Sequence, residues 1–126
     1  MVLELPPDPK GLITIAVHAA PDVVVLELSG RLDATAVRQI QTRFDEATGT
    51  SVPVLVDLSS VSFMDSLGVA LLVRTANRLR AAGLPMAVIP GAGPVARMLG
   101  IARVDRILNV VFTREDAWVV LGASPA

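Results

Sequence analysis

Asp57-Leu-Ser-Ser-Val-Ser-Phe-Met-Asp-Ser-Leu-Gly-Val-Ala-Leu-Leu72 is the stretch whose reading decides the fold. It opens on the end of Val54-Leu-Val-Asp-Leu58, a short apolar run bounded by Pro53 and by Ser59 and Ser60. That pattern predicts a strand buried on both faces. A loop is expected next, and then a long helix from about Ser66 to Ala82, stopped by Gly83 and Pro85.

Working outward, two β-branched runs, Ile13 to His18 and Val23 to Ser29, flank Ala-Ala-Pro-Asp and predict a hairpin. Asp33 is an N-cap type residue followed by Val37, Ile40 and Phe44 at helical spacing, which predicts the first helix. Beyond the long helix, Met86 to Ile89 reads as a buried strand, Pro94 to Leu99 as a short helix ending at Gly100, and Ile107 to Phe112 as a last strand. Thr113, with Asp116 three places on, opens a final helix that carries Trp118 and Leu121. Strands alternating with helices after an opening hairpin predict a single α/β domain with a mixed sheet, spanning residues 12–121. Pro6, Pro7 and Pro9 make residues 1–11 a loose amino-terminal segment in this reading, and residues 122–126 a loose tail.

The composition narrows the function classes. The chain has 126 residues, no cysteine and 52% apolar residues, which suits one globular domain and leaves no room for a second. A mean hydropathy of +0.61 then points to a heavily buried core, because the longest apolar stretch, Leu67 to Val73, is far too short to cross a bilayer. A net charge of -1 gives no long-range attraction to nucleic acid or to an anionic membrane. With no charged and hydrophobic leader at its start, the chain is expected to be soluble and cytoplasmic. His18 is the only histidine and reads as a surface residue, since a catalytic base needs an oriented second group, and with cysteine absent it leaves only scattered carboxylates for a metal. Tyr is absent and Trp118 is the only Trp, which leaves few platforms for stacking single-stranded nucleic acid. These counts favour a binding or switching module over an enzyme, with no catalytic, cofactor or metal residues expected. Gly91-Ala-Gly93-Pro-Val-Ala96 has the look of a dinucleotide turn. Pro94 removes a phosphate donor, however, and the following helix is short, so a plain turn with Pro at the first helical position fits it better.

Asp57 to Leu72 closely resembles the central motif of the STAS domains, in particular the bacterial anti-sigma factor antagonists. Gly30-Arg-Leu-Asp33 sits where that family has a Gly-x-Leu/Ile-Asp turn, and the order of elements agrees from Ile13 to Leu121. The resemblance implies a non-enzymatic switch. In the switch so implied, the unphosphorylated protein would bind an anti-sigma factor that is also a serine kinase of the histidine-kinase-like ATPase superfamily, and so release a sigma factor. By motif match the phosphorylated serine is Ser66, and a serine phosphatase is implied to reset it. The residues matching Asp33 and Asp65 are implied to lie at the contact with the kinase and its nucleotide, while Asp57 reads as structural. Leu67 departs from members that have a second hydroxyl residue there. The other reading open to a STAS-like chain is a ligand- or nucleotide-binding sensor module.

Independently of the family, Ser66 stands at a helix start, where unpaired N–H groups and the helix dipole favour negative charge. It can serve there as a simple cap or as a phosphoacceptor, whose phosphate would keep oxygens for those N–H groups. Gly68 is expected to stay small because the helix start approaches another backbone, within the domain or in a partner. At 100° per residue, Val69, Leu72, Val73, Ala76 and Leu79 form a core stripe, with Leu67, Ala70, Leu71, Arg74 and Arg78 opposite it. Leu67 and Leu71 are therefore expected to supply the apolar part of a partner-binding surface, unless another element of the domain covers them.

Overall fold

The computed structural model describes residues 2–4 and 13–125. Its sheet has five strands in sequence order: β1 (Val2–Glu4), β2 (Ile13–Ala19), β3 (Val24–Leu32), β4 (Val54–Met64) and β5 (Met86–Ile89). The first three pair antiparallel, and β3, β4 and β5 run parallel, so the sheet is mixed as expected. The two parallel connections are α1 (Ala34–Ala47) and α2 (Ser66–Ala81). After β5 come α3 (Pro94–Ala102), the single turn α4 (Asp105–Leu108) and α5 (Arg114–Leu121). No helix among the described residues is long and apolar enough to cross a membrane.

Alternation along the strands assigns the two faces. Ile13, Ile15 and Val17 of β2 join Val24, Leu26 and Leu28 of β3 in the main core, which α1 and α2 cover with Ile40, Phe44, Leu71, Leu72 and Leu79. Val23, Val25, Leu55, Ala87 and Ile89 turn to the other face, where Ala117 and Leu121 of α5 cover them. Because both faces are covered at these positions, the strand centres read as unbroken apolar runs. At Glu27 and Ser29 the apolar side of α5 no longer covers this face, and the sequence turns polar there.

Three elements differ from the sequence reading. Val2–Glu4 forms a strand against β2, although the segment that holds it was expected to be loose, and Pro6, Pro7 and Pro9 lie outside the described residues. Ile107 to Phe112 is not a strand. Asn109 adopts a left-handed φ of 53° that ends the α4 turn, and its side-chain amide donates to the Met86 carbonyl at 2.7 Å. Only Val110 then bridges β5, at Val88, so Leu108 is buried while Ile107 and Phe112 are exposed. The third difference is β4, which continues through the expected loop to Met64. It does so by carrying two extra residues against β3, one between the Asp57 and Ser60 pairings and one between those of Val61 and Phe63. Each is a bulge, and a bulge shifts the alternation by one residue. Leu58, Val61 and Met64 consequently point inward, with exposed pairs between them.

A polar network ties α5 to the sheet. Arg114, the first residue of α5, donates to Asp57 Oδ2 at 2.9 Å and lies 3.4 Å from Glu27 Oε2, and His18 contacts the other oxygen of Glu27. Asp57 Oδ1 also accepts from Ser59 N at 2.9 Å and from Ser59 Oγ at 2.5 Å. Burial alone would push the Asp57 carboxyl up, but the Ser59 bonds and the Arg114 guanidinium together outweigh it and hold the group below its ordinary value. A depressed carboxyl stabilises the fold above its unfolded pKa and loses that contribution as the pH falls through the folded value. Asp57→Ala is expected to cost about 1.5 to 3 kcal/mol at neutral pH. Urea titrations across pH should show the gap from wild type shrinking below the ordinary value of 3.8. A gap that persists unchanged in acid would show that the charged form is not what stabilises.

Candidate functional site

Parallel pairing of β3 with β4 brings the ends of both strands, and so the starts of α1 and α2, to one edge of the sheet. Each helix is capped by the aspartate that follows its strand. Asp33 has φ -101° and ψ -176°, and its Oδ1 accepts from Ala36 N at 3.0 Å. Asp65 has nearly the same backbone, φ -103° and ψ -175°, and its Oδ1 accepts from Leu67 N at 3.0 Å and Gly68 N at 3.2 Å. Its other oxygen accepts from Ala34 N, the first N–H of α1, at 3.0 Å. Asp65 is therefore joined to both helices.

This arrangement revises the part assigned to Ser66. The cap of α2 is Asp65, and Ser66 is the first helical residue, with an exposed side chain. The Leu67 and Gly68 N–H groups that a phosphate was expected to share already bond to Asp65. Leu67 beside it is 48% exposed, as a docking residue must be.

Leu71 does not share that surface. It is 1% exposed and packs in the main core, which corrects its assignment to a partner-binding face. The buried side of α2 comprises Gly68, Val69, Leu71, Leu72, Thr75, Ala76 and Leu79, an arc of about 160° at 100° per residue. Two of its members, Gly68 and Thr75, carry no apolar signal, so an apolar count places the arc too far toward Val69 and Val73. Thr75 fits the core because its hydroxyl donates to the Leu71 carbonyl at 2.8 Å. Gly68 is likewise buried, and its close approach is internal. A Cβ there would stand 2.8 Å from the Leu32 carbonyl oxygen and 2.8 Å from Met64 Cγ.

Two residues that the sequence reading passed over adjoin this edge. The second bulge of β4 leaves Phe63 36% exposed, and the Arg31 guanidinium lies 4.3 Å from its ring centroid. Arg31 Nε is also 3.9 Å from Asp33 Oδ2. The available signal was an aromatic side chain among serines. On the sheet face opposite α1 and α2, Thr14, Ala16, Glu27, Ser29 and Ser60 line a shallow open hollow. Among the described residues no group of three or more His, Asp or Glu side chains could hold a metal ion.

A family model described as STAS domain matches residues 14–117. The chain belongs to the STAS domain family. Solved structures share this fold. An anti-sigma factor antagonist from Mycobacterium paratuberculosis aligns with a TM-score of 0.79 at 24% identity, over 93% of this chain and 99% of that one. An anti-sigma factor antagonist STAS domain protein from Planctomyces limnophilus aligns at 0.76 and 25% identity, over 86% and 98%. The phosphorylated form of SpoIIAA, a cell fate determinant of Bacillus, aligns at 0.63 and 21%, over 84% and 98%.

Two substitutions in this STAS domain separate core from surface. Leu71→Ala should lower unfolding free energy by about 2 to 5 kcal/mol, whereas Leu67→Ala should change it by less than about 0.5 kcal/mol. Equal losses in chemical denaturation would place both leucines inside the domain. For Gly68→Ala, helix propensity offers a gain of up to about 1 kcal/mol, but overpacking against the Leu32 backbone should cost about 1 to 3 kcal/mol. A net loss in melting temperature is expected, and a more stable variant would refute the close approach.

Proposed function

We propose that this chain is an anti-sigma factor antagonist that works by partner switching in the cytoplasm. In its unphosphorylated form it binds an anti-sigma factor with serine-kinase activity, of the histidine-kinase-like ATPase superfamily, and a sigma factor is released. Phosphorylation of Ser66 ends the binding, and a serine phosphatase restores it. The chain itself performs no chemistry, because the kinase brings the ATP.

The observation that carries this reading is the setting of Ser66. Its hydroxyl has no capping duty, since Asp65 caps α2, and its side chain is exposed next to exposed Leu67. A serine at the first helical position that is free of structural work is well suited to accept a phosphoryl group. Family membership supports the role, as does the description of SpoIIAA both as an anti-sigma factor antagonist and in a phosphorylated form. Leu67, with Asp33 at the same edge of the sheet, fits the contact surface for the partner; Asp65, with both oxygens engaged by backbone N–H groups, is less available for direct contact.

The phosphoryl group adds about -1.5 to -2 charges and three acceptor oxygens. With the Leu67 and Gly68 N–H groups already bonded to Asp65, that charge stays largely at the surface that the partner meets. Incubation with the cognate anti-sigma kinase should label wild type on Ser66 and leave Ser66→Ala unlabelled, as mapped by mass spectrometry. Ser59, Ser60 and Ser62 are also exposed and serve as internal controls. Ser66→Asp should bind the partner at least tenfold more weakly with a melting temperature near that of wild type. Equal labelling of wild type and Ser66→Ala would remove Ser66 from the mechanism, and saturable ATP or GTP binding by the isolated chain would favour a sensor module instead.

A further inference from the structure

Asp65 places its carboxylate between two helices whose sequences lie more than thirty residues apart, at Ala34 and at Leu67–Gly68. Its own N–H donates to the Leu32 carbonyl at 3.3 Å, so from the start of α2 its backbone reaches the end of β3 and its side chain the start of α1. A carboxylate suits this post because it is acceptor-only at both oxygens, and both are met here by N–H donors. Asp33 differs. Its Oδ1 caps α1, while Oδ2 has Arg31 Nε no nearer than 3.9 Å.

From this geometry we infer that Asp65 is a positioning residue, which fixes Ser66 relative to Asp33 so that the kinase partner meets the phosphoacceptor and its acidic contact as one rigid unit. The inference rests on the proposed role of Ser66. It divides the labour between two aspartates that sequence alone makes equivalent: Asp33 touches the partner through Oδ2, which among the described residues only the 3.9 Å pairing with Arg31 engages, and Asp65 acts through Ser66. The division has a chemical signature. Displacing a reacting hydroxyl by about 1 Å lowers the rate of the chemical step, whereas removing a contact that binds ground state and transition state alike raises KM.

Asp65→Asn and Asp65→Ser test this in the full chain. In Asp65→Asn, the amide oxygen can still cap α2, but the NH2 group then faces the Ala34 N–H, donor against donor. In Asp65→Ser, the hydroxyl can cap α2 but is too short to hold both helices. Two measurements are paired: hydrogen exchange of backbone amides by NMR, and steady-state phosphorylation by the cognate anti-sigma kinase. Both variants should speed exchange at Ala34 at least tenfold while Ala36, capped by Asp33, stays within threefold of wild type. Phosphorylation kcat should fall at least tenfold with KM within threefold. Asp33→Ser, which keeps a cap, should show the converse, raised KM with Ala34 still protected. Unchanged Ala34 exchange in both Asp65 variants, or lost protection with wild-type kcat, would overturn the inference, as would a rise confined to KM, which marks direct contact. Failure of the kinase to label wild type would instead refute the role proposed for Ser66, and the Ala34 exchange rates would then decide the clamp by themselves.

Discussion

The backbones of Leu32 and Gly68 pass so close that a methyl group on Gly68 would lie 2.8 Å from the Leu32 carbonyl oxygen. Such an approach sets α2 hard against the end of β3, and Asp65 can then reach across to Ala34. The same contact fixes the rotation of α2 about its axis, because Gly68 must face inward. Leu72, Thr75 and Leu79 follow it into the core at helical spacing, and Leu67 is turned out. The exposure of the residues beside Ser66 is thus a consequence of packing one helix start against a neighbouring strand. Open-sheet α/β folds favour functional groups at the carboxyl ends of parallel strands, and here that end carries two aspartate-capped helices side by side.

Much of this architecture was legible because the signals were local. Asp33 and Thr113 are the caps expected of them, α2 starts at Ser66, and the hairpin pairs Ala19 with Val24. What failed to show were features in which two segments settle each other's conformation. The upper half of β4 repeats its buried residues every three positions, at Leu58, Val61 and Met64, and that pattern matches neither the two-residue repeat of a strand nor the 3.6-residue repeat of a helix. Two bulges produce it, and a bulge is a property of a pair of strands. Ile107 to Phe112 fails in the opposite direction. It has the apolar character of a strand, yet Asn109 turns the chain after a single helical turn and leaves one bridging residue.

At the candidate site, the hydrophobic arithmetic misled for a related reason. An apolar count gives Gly68 and Thr75 no weight, yet both are buried, one because nothing larger fits and one because its hydroxyl bonds within its own helix. Restoring them to the buried arc moves its edge past Leu71 and leaves Leu67 outside. Asp65 shows a different blindness. As the residue before Ser66 it stood out by motif, but its bond to Ala34 is a pairing of distant segments, and no spacing along the chain announces it.

Under the proposed function, these details decide how a phosphoryl group would act. Many phosphates at helix starts are bound because free N–H groups receive them, and the ligand's charge is then largely answered by the protein. Here the Leu67 and Gly68 donors are held by a carboxylate that is itself negative and next in sequence. Asp33 adds a second carboxylate at the same edge, while Arg31 is engaged by the Phe63 ring and lies 3.9 Å from Asp33. A phosphoryl group on Ser66 would therefore find the Leu67 and Gly68 donors of its own domain already taken. Its cost to the fold is small because the side chain is exposed, and its charge is left for an approaching surface to meet. A domain that absorbed the phosphate would be stabilised by it and would conceal the signal, whereas an exposed Ser66 would keep the core out of the exchange and leave the effect of the proposed phosphorylation in the affinity for a partner.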